Sequence, residues 1–232
     1  GALDRRRAVG KLAELSDVLV HDPLVGKAGI GHTRWATHGE PSVKNAHPHQ
    51  KEQVAVVHNG IIENFRELRE ELANHGLRPE TDTDTETVAM LTHHMLTSGM
   101  SPVEAARETI AKLEGAFALC FLFQGEEDLL IVARKGSPLA IGYGDNEMFV
   151  GSDAIALAPM TNRITYLDEG DFAVLTRTSV QIWDAQGALA NREVRTIRGA
   201  AGRYDKDGYQ HFMAKEIHEQ PSVISKAIKH YL

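Results

Sequence analysis

One cysteine in 232 residues leaves nothing for a disulfide framework and no Cys-x-x-Cys for a zinc knuckle. Long apolar runs are also missing. No stretch reaches the roughly 20 residues that a membrane-spanning helix needs. The opening Gly1-Ala2-Leu3-Asp4-Arg5-Arg6-Arg7 lacks the apolar middle of a secretory signal. There is no basic excess: 25 Lys+Arg stand against 32 Asp+Glu, for a net charge of −7. That balance, with no long basic run, argues against nucleic acid as a partner and against a membrane surface. Internal repeats and low-complexity tracts are absent as well. What remains is an ordinary globular balance, 42% hydrophobic and 25% charged, long enough for a sizeable core in one large or two small domains. A reducing cytoplasm is the expected compartment.

The pattern reads as strands, then helices, then strands, then a helix. Residues 28–33 read as a short strand. Val54-Ala55-Val56-Val57 reads as a buried strand ended by a His58-Asn59-Gly60 turn. A helix is expected over 63–75, with Phe65, Leu68 and Leu72 on one face and Gly76 as its stop. A second starts near Thr85 and shows Val88, Leu91 and Met95 at helical spacing. A third begins at Ser101-Pro102-Val103-Glu104, a capping box with proline at the first helical position. After Gly115 the pattern turns to strands at 116–123, 129–132, 139–143, 147–150, 164–167, 172–175 and 180–183. Continuously apolar strands imply a sheet covered on both faces, hence a layered α+β fold. Residues 198–208 read as a linker, and 212–232 as a helix restarted at Pro221. The last helix has no capping signal, so a further domain is expected beyond it.

Histidines crowd one region: His32, His38, His47, His49 and His58 are five of the 12 in the chain. His47-x-His49 on a strand would point both rings to one face. With no cysteine and no dense carboxylates nearby, however, the spacing does not make a metal site, and hydrogen-bonding histidines are the expectation. No cofactor is implied. Cys120 lies in an apolar strand, where a thiol is inert. No Gly-x-Ser-x-Gly elbow occurs. The groups that would hold a substrate are better represented. Arg34, beside Trp35, Thr37 and His38, suits bidentate capture of a carboxylate. Asn59 and Gly60 could donate together to an oxyanion, or form a plain turn. Asp84 could meet a substrate ammonium, or cap its helix.

In order along the chain, His-Thr-Arg-Trp-Ala-Thr-His-Gly-Glu-Pro (32–41), Asn-Ala-His-Pro-His (45–49), Val-Val-His-Asn-Gly-Ile-Ile-Glu-Asn (56–64) and Thr-Asp-Thr-Glu (83–86) closely resemble the glutaminase domain of the glutamine–fructose-6-phosphate aminotransferase family. Gly136-Ser137-Pro138-Leu139, Ser152-Asp153, Glu169-Gly170-Asp171 and Met213-x-Lys215-Glu216-Ile217-x-Glu219-Gln220-Pro221 extend the likeness over essentially the whole chain. The resemblance implies a four-layer αββα N-terminal-nucleophile hydrolase sandwich. Residues 1–197 would be the class II glutamine amidotransferase domain, and 198–232 a linker and helix leading to a sugar isomerase domain. It further implies glutamine hydrolysis, with ammonia passed to fructose 6-phosphate to make glucosamine 6-phosphate, and a homodimer for the full-length enzyme. By the same resemblance Arg34 clamps the glutamine α-carboxylate with Thr37 and His38 assisting. Asp84 meets the α-ammonium, Asn59 and Gly60 form the oxyanion hole, and Trp35 is an aromatic gate. His47 receives no role.

The family begins at a catalytic cysteine followed by a strand, and neither is present here. A few tens of residues are therefore expected to precede Gly1. Without the thiol and its α-amino base, the chain itself is expected to bind glutamine or glutamate and not turn glutamine over.

Overall fold

The computed structural model describes residues 1–197 and 206–231. The chain divides into two compact units, Gly1–Thr196 and Ile197–Leu232. The first is an α+β sandwich of two antiparallel sheets. Helix α1 (Leu12–His21) precedes it and buries none of its residues. The large sheet has seven strands in the order β1-β2-β3-β4-β8-β9-β10. These are β1 (His49–Lys51), β2 (Val54–Ile62), β3 (Gly115–Phe123), β4 (Leu130–Lys135), β8 (Phe172–Leu175), β9 (Val180–Trp183) and β10 (Leu189–Ala190). The small sheet runs β11-β7-β5-β6, from β5 (Ala140–Tyr143), β6 (Met148–Gly151), β7 (Arg163–Tyr166) and β11 (Arg195–Thr196).

Alternation along β3 builds two cores. Phe117, Leu119, Phe121 and Phe123 join the core beneath the helices, while Ala118 and Cys120 point the other way, into a core with Ile141 of the small sheet. Large side chains fill the space toward the helices, and the small Ala118 and Cys120 face the other sheet. Cys120 is thus a core residue, and burial pushes its thiol up to about 12.

Helices α2 (Phe65–Asn74), α3 (Asp84–Thr97) and α4 (Pro102–Ala111) cover the large sheet. Phe65, Leu68 and Leu72 are the buried face of α2, as their spacing predicts. Helix α3 is buried from Asp84 through Thr92 without a break, because it is covered on several sides rather than along one stripe. Its Thr92 hydroxyl donates to the Val88 carbonyl and accepts from Thr109 on α4, so these buried hydroxyls are satisfied. On the outer face of the small sheet sits α5 (Ala154–Leu157), a single turn whose Leu157 packs where Gly142 and Gly151 carry no side chain.

Three expectations are corrected. Residues 28–33 form no strand: the segment includes Gly29 and Gly31 and gains no ladder partner among the described residues. His58-Asn59-Gly60 is not a turn. β2 continues through it to Ile62, paired with β3 residue by residue down to Gly115, and the ladder overrides the local Asn-Gly preference. In the second unit, α6 (Phe212–Tyr231) runs through Pro221 without a restart. A proline removes one intrahelical bond, and the helix continues on both sides. The expected 198–208 linker lies mostly outside the described residues. Among them, no helix is long and apolar enough to cross a membrane.

The capping box at α4 forms in full, with the Glu104 N–H donating to Ser101 Oγ and the Ser101 N–H to Glu104. Ser101→Ala should lower the stability of the first unit by about 1 kcal/mol, read as a shift in the urea midpoint at unchanged slope. No shift would show that the box forms without contributing.

Candidate active site

A cavity of about 300 Å³ opens where the end of β2 meets the start of α3 and the irregular segment 31–40. Arg34, Trp35, Thr37, His38, Asn59, Gly60 and Asp84 all line it. Three chain segments far apart in sequence therefore converge there. His32, His47, His58, Thr83 and Thr85 line it with them.

Gly60 is the most constrained of these positions. Its φ is +126°, and a Cβ would fall 2.0 Å from the Ala116 carbonyl oxygen. Only glycine fits this approach of β2 to β3. Asn59 beside it is exposed at the cavity, and its Oδ1 lies 2.7 Å from His32 Nε2.

Asp84 is the first residue of α3, and Thr83 occupies the cap position. The expectation that Asp84 caps the helix is corrected accordingly. Its Oδ2 accepts the Ile62 N–H at 2.9 Å and its Oδ1 the Thr85 N–H at 3.0 Å. The carboxylate is 3% exposed, and it ties the end of β2 to the start of α3. Each oxygen keeps a lone pair for a further donor. Glu86, two residues along, accepts the Glu80 and Thr81 N–H groups, and Arg69 donates to the Thr81 and Thr83 carbonyls. The loop before α3 is thereby pinned from both sides.

Arg34 lines the cavity with its guanidinium turned onto its own loop. It donates to the His38, Gly39 and Glu40 carbonyls at 2.7, 2.9 and 2.9 Å. Its backbone sits at φ +44°, a left-handed strain of the kind concentrated at functional sites. Two of its five N–H groups are left without a partner among the described residues. Trp35 is 90% exposed. The His38 ring stands edge-on to Phe65.

Sequence reasoning expected hydrogen-bonding histidines here, gave His38 a part in the clamp and left His47 without a role. The His32 and His47 rings stack with centroids 4.2 Å apart, and His49 meets His47 edge-on at 4.9 Å. The Thr85 hydroxyl lies 3.0 Å from His47 Nε2 and 3.1 Å from His58 Nδ1, and the Thr83 hydroxyl 3.0 Å from His49 Nε2. Burial pushes His47 down to about 2 and His49 to about 3. For His58 burial outweighs the Asp84 carboxylate 3.9 Å away, and its value falls to about 4. These rings are neutral at pH 7. Their crowding and their hydrogen-bonding character were visible in the sequence, but their threonine partners on α3 and beside it were not.

A family model described as a glutamine amidotransferase domain matches residues 32–159, which include every residue named at the cavity. The chain belongs to this family. It is 57% identical over 230 residues to the glutamine–fructose-6-phosphate aminotransferase (isomerizing) of Bradyrhizobium diazoefficiens, covering 99% of this chain and 38% of that one. Proteins of the same name from Mesorhizobium japonicum and Caulobacter vibrioides are 56% and 51% identical, each covering 100% of this chain and 38% of the relative. The chain thus spans well under half the length of these relatives. Among solved structures, the glutamine phosphoribosylpyrophosphate amidotransferase from B. subtilis, complexed with ADP and GMP, matches with a TM-score of 0.56 at 24% identity. That match covers 66% of this chain and 34% of the other. It shows a shared amidotransferase fold.

The neutral histidines give this glutamine amidotransferase domain an acid-sensitive stability. An unfolded histidine titrates near 6.5. Above that pH neither state binds the proton. Below it the unfolded chain takes up protons that the folded one refuses, down to the folded values of about 4, 3 and 2 for His58, His49 and His47. Each ring should therefore remove about 1.4 kcal/mol of stability per pH unit below 6.5. Unfolding free energy measured between pH 7 and 5 should fall steeply, and His49→Gln should flatten the slope by one proton. A flat profile would mean that the rings are solvated.

Proposed function

We propose that this domain is the glutamine-hydrolysing part of a glutamine–fructose-6-phosphate aminotransferase. It would release ammonia that a second part of the enzyme adds to fructose 6-phosphate, yielding glucosamine 6-phosphate for hexosamine synthesis. The observation that carries this reading is the convergence of a cation, a carboxylate and a pair of amide donors on one small cavity. These are the complements of a free amino acid with a side-chain amide.

In this reading Asp84 accepts the α-ammonium with its remaining lone pairs. The Arg34 charge and its uncommitted N–H groups face the α-carboxylate, with Thr37 and His38 completing the clamp. Attack on the side-chain amide carbon places a negative charge on its oxygen. The Asn59 NH2 and the Gly60 N–H are the donors proposed to stabilise it. The amide nitrogen leaves as ammonia past Trp35, and water releases glutamate from the acyl intermediate. The attacking thiol that the resemblance implies is not among the 232 residues, and Cys120 lies in the inter-sheet core. A protein made of these residues alone is therefore proposed to bind and not to hydrolyse. Residues 1–197 are proposed as the amidotransferase domain, and 198–232 as the passage toward the sugar isomerase part. A reducing cytoplasm suits the single buried cysteine, and the homodimer rests on the resemblance.

Calorimetry with L-glutamate on the 232-residue chain tests the binding half. Asp84→Asn keeps one of the two backbone N–H bonds and removes the charge facing the ammonium. Affinity should fall about tenfold to a hundredfold, the equivalent of losing one charge-assisted hydrogen bond. Unchanged affinity with a folded variant would remove Asp84 from the clamp. Ammonia release from L-glutamine by the chain alone would overturn the placement of the nucleophile outside it.

A further inference from the structure

A side-chain amide has two unlike ends. Its NH2 stabilises a nearby negative charge, its oxygen repels one, and a half-turn of the last torsion exchanges them. Asn59 can serve an oxyanion in only one of these orientations. Its single side-chain partner among the described residues is His32, with Nε2 and Oδ1 2.7 Å apart.

The direction of that bond follows from the other side of the ring. The Arg34 backbone N–H lies 2.8 Å from His32 Nδ1. A backbone N–H can only donate, so Nδ1 holds the lone pair. A neutral imidazole then carries its proton on Nε2, and Nε2–H can only donate in turn. Asn59 must offer its oxygen to His32, which turns its NH2 away from the ring. Neutrality is favoured because burial, aided by the positive Arg34, lowers the His32 pKa against the opposing pull of the Asn59 bond. Stacking on His47, at 29° between the ring planes, limits rotation of the His32 ring.

We propose that His32 is the positioning residue for Asn59, fixing the amide so that its NH2 and not its oxygen serves the oxyanion. The role rests on the glutaminase reading. It ties the oxyanion donor to the carboxylate clamp, because the ring that orients Asn59 is itself locked by the backbone of Arg34. A disturbance of the 34–40 loop would loosen Asn59 without touching it.

Three substitutions at His32 separate positioning from packing. Gln places an NH2 donor near the position of Nε2, Leu offers nothing, and ionised Glu, with the length of Gln, can only accept. Glu thus favours the reversed amide, with oxygen toward the charge. In the full-length enzyme kcat for glutamine hydrolysis should fall in the order His32→Gln, His32→Leu, His32→Glu. The Gln variant should lie within a few-fold of the parent, and the Glu variant about a hundredfold or more below it, the scale of a lost oxyanion donor. KM for glutamine should barely move, since Arg34 and Asp84 keep their side chains. In an Asn59→Ala background the three variants should become equivalent. Equal kcat for Gln and Glu, or a loss carried wholly by KM, would overturn the proposal.

Nitrogen-15 NMR of the 232-residue chain at neutral pH reads the ring directly. A proton on Nε2 and none on Nδ1 supports the proposal, and the opposite tautomer refutes it. Failure of the unsubstituted full-length enzyme to hydrolyse glutamine would instead refute the functional reading, while the tautomer still decides how His32 holds Asn59.

Discussion

The ladder between Val54–Ile62 and Gly115–Phe123 sets the face on which every candidate group on β2 lies. Side chains alternate across a strand, so Val54, Val56 and His58 turn toward the helices, and Val57 and Asn59 toward the other side. His58 thereby reaches Thr85 on α3, and Asn59 reaches His32. A slip of one residue would exchange them, leaving a buried amide against the helix and an imidazole where Asn59 now lines the cavity. The register is locked where the two backbones come closest. Gly60 and Gly115 both sit at positive φ, and a Cβ on either would drive into a carbonyl of the facing strand, Ala116 or Ile61. Two glycines and nine residue pairs thus hold Asn59 and Gly60 on a continuous antiparallel ladder.

Around that ladder the protein buries polar groups at some cost. Four imidazoles, two threonine hydroxyls and a carboxylate crowd the start of α3. A hydroxyl can donate on one side and accept on the other, so Thr85 can satisfy His47 and His58 together provided at least one of the two facing nitrogens carries a proton. The far nitrogens, His47 Nδ1 and His58 Nε2, find no partner in the structure. Groups left that way destabilise a fold by about 1–3 kcal/mol each.

Much of the frame was legible because it depends on local chemistry. Ser101, Pro102 and Glu104 announce the start of α4 by capping and a fixed φ, and those needs are the same in any context. Phe172–Leu175 and Val180–Trp183 are short apolar runs bounded by turn residues, and they form strands with those limits. The failures share the opposite cause. Asn59-Gly60 favours a turn by itself and is carried straight by β3, 55 or more residues away in sequence. Residues 28–33 read as a strand and pair with none among the described residues. The seven cavity residues were singled out by their chemistry, and the resemblance added an expected role for each. The roles of His32 and Thr85 were not legible, because they depend on ring tautomers and on contacts between residues 27 and 38 apart in sequence.

The cavity divides its work between two kinds of support. Asn59, Gly60 and Asp84 are held by a sheet ladder and a helix start, which fix them before any ligand arrives. Arg34, Trp35 and Thr37 belong to a segment without regular structure, and the Arg34 guanidinium is bonded to its own loop. Groups that stabilise a developing charge act best when already oriented, since reorganising them during the reaction would raise the barrier. Groups that grip an unchanging α-carboxylate bear no such demand, and binding energy gained there can serve to order the loop. The His32 ring spans the two kinds of support, bonded to the loop through Nδ1 and to the rigid Asn59 through Nε2. The strand fixes the Asn59 backbone, and a ligand that settles the loop at Arg34 would also settle the Asn59 side-chain amide through His32.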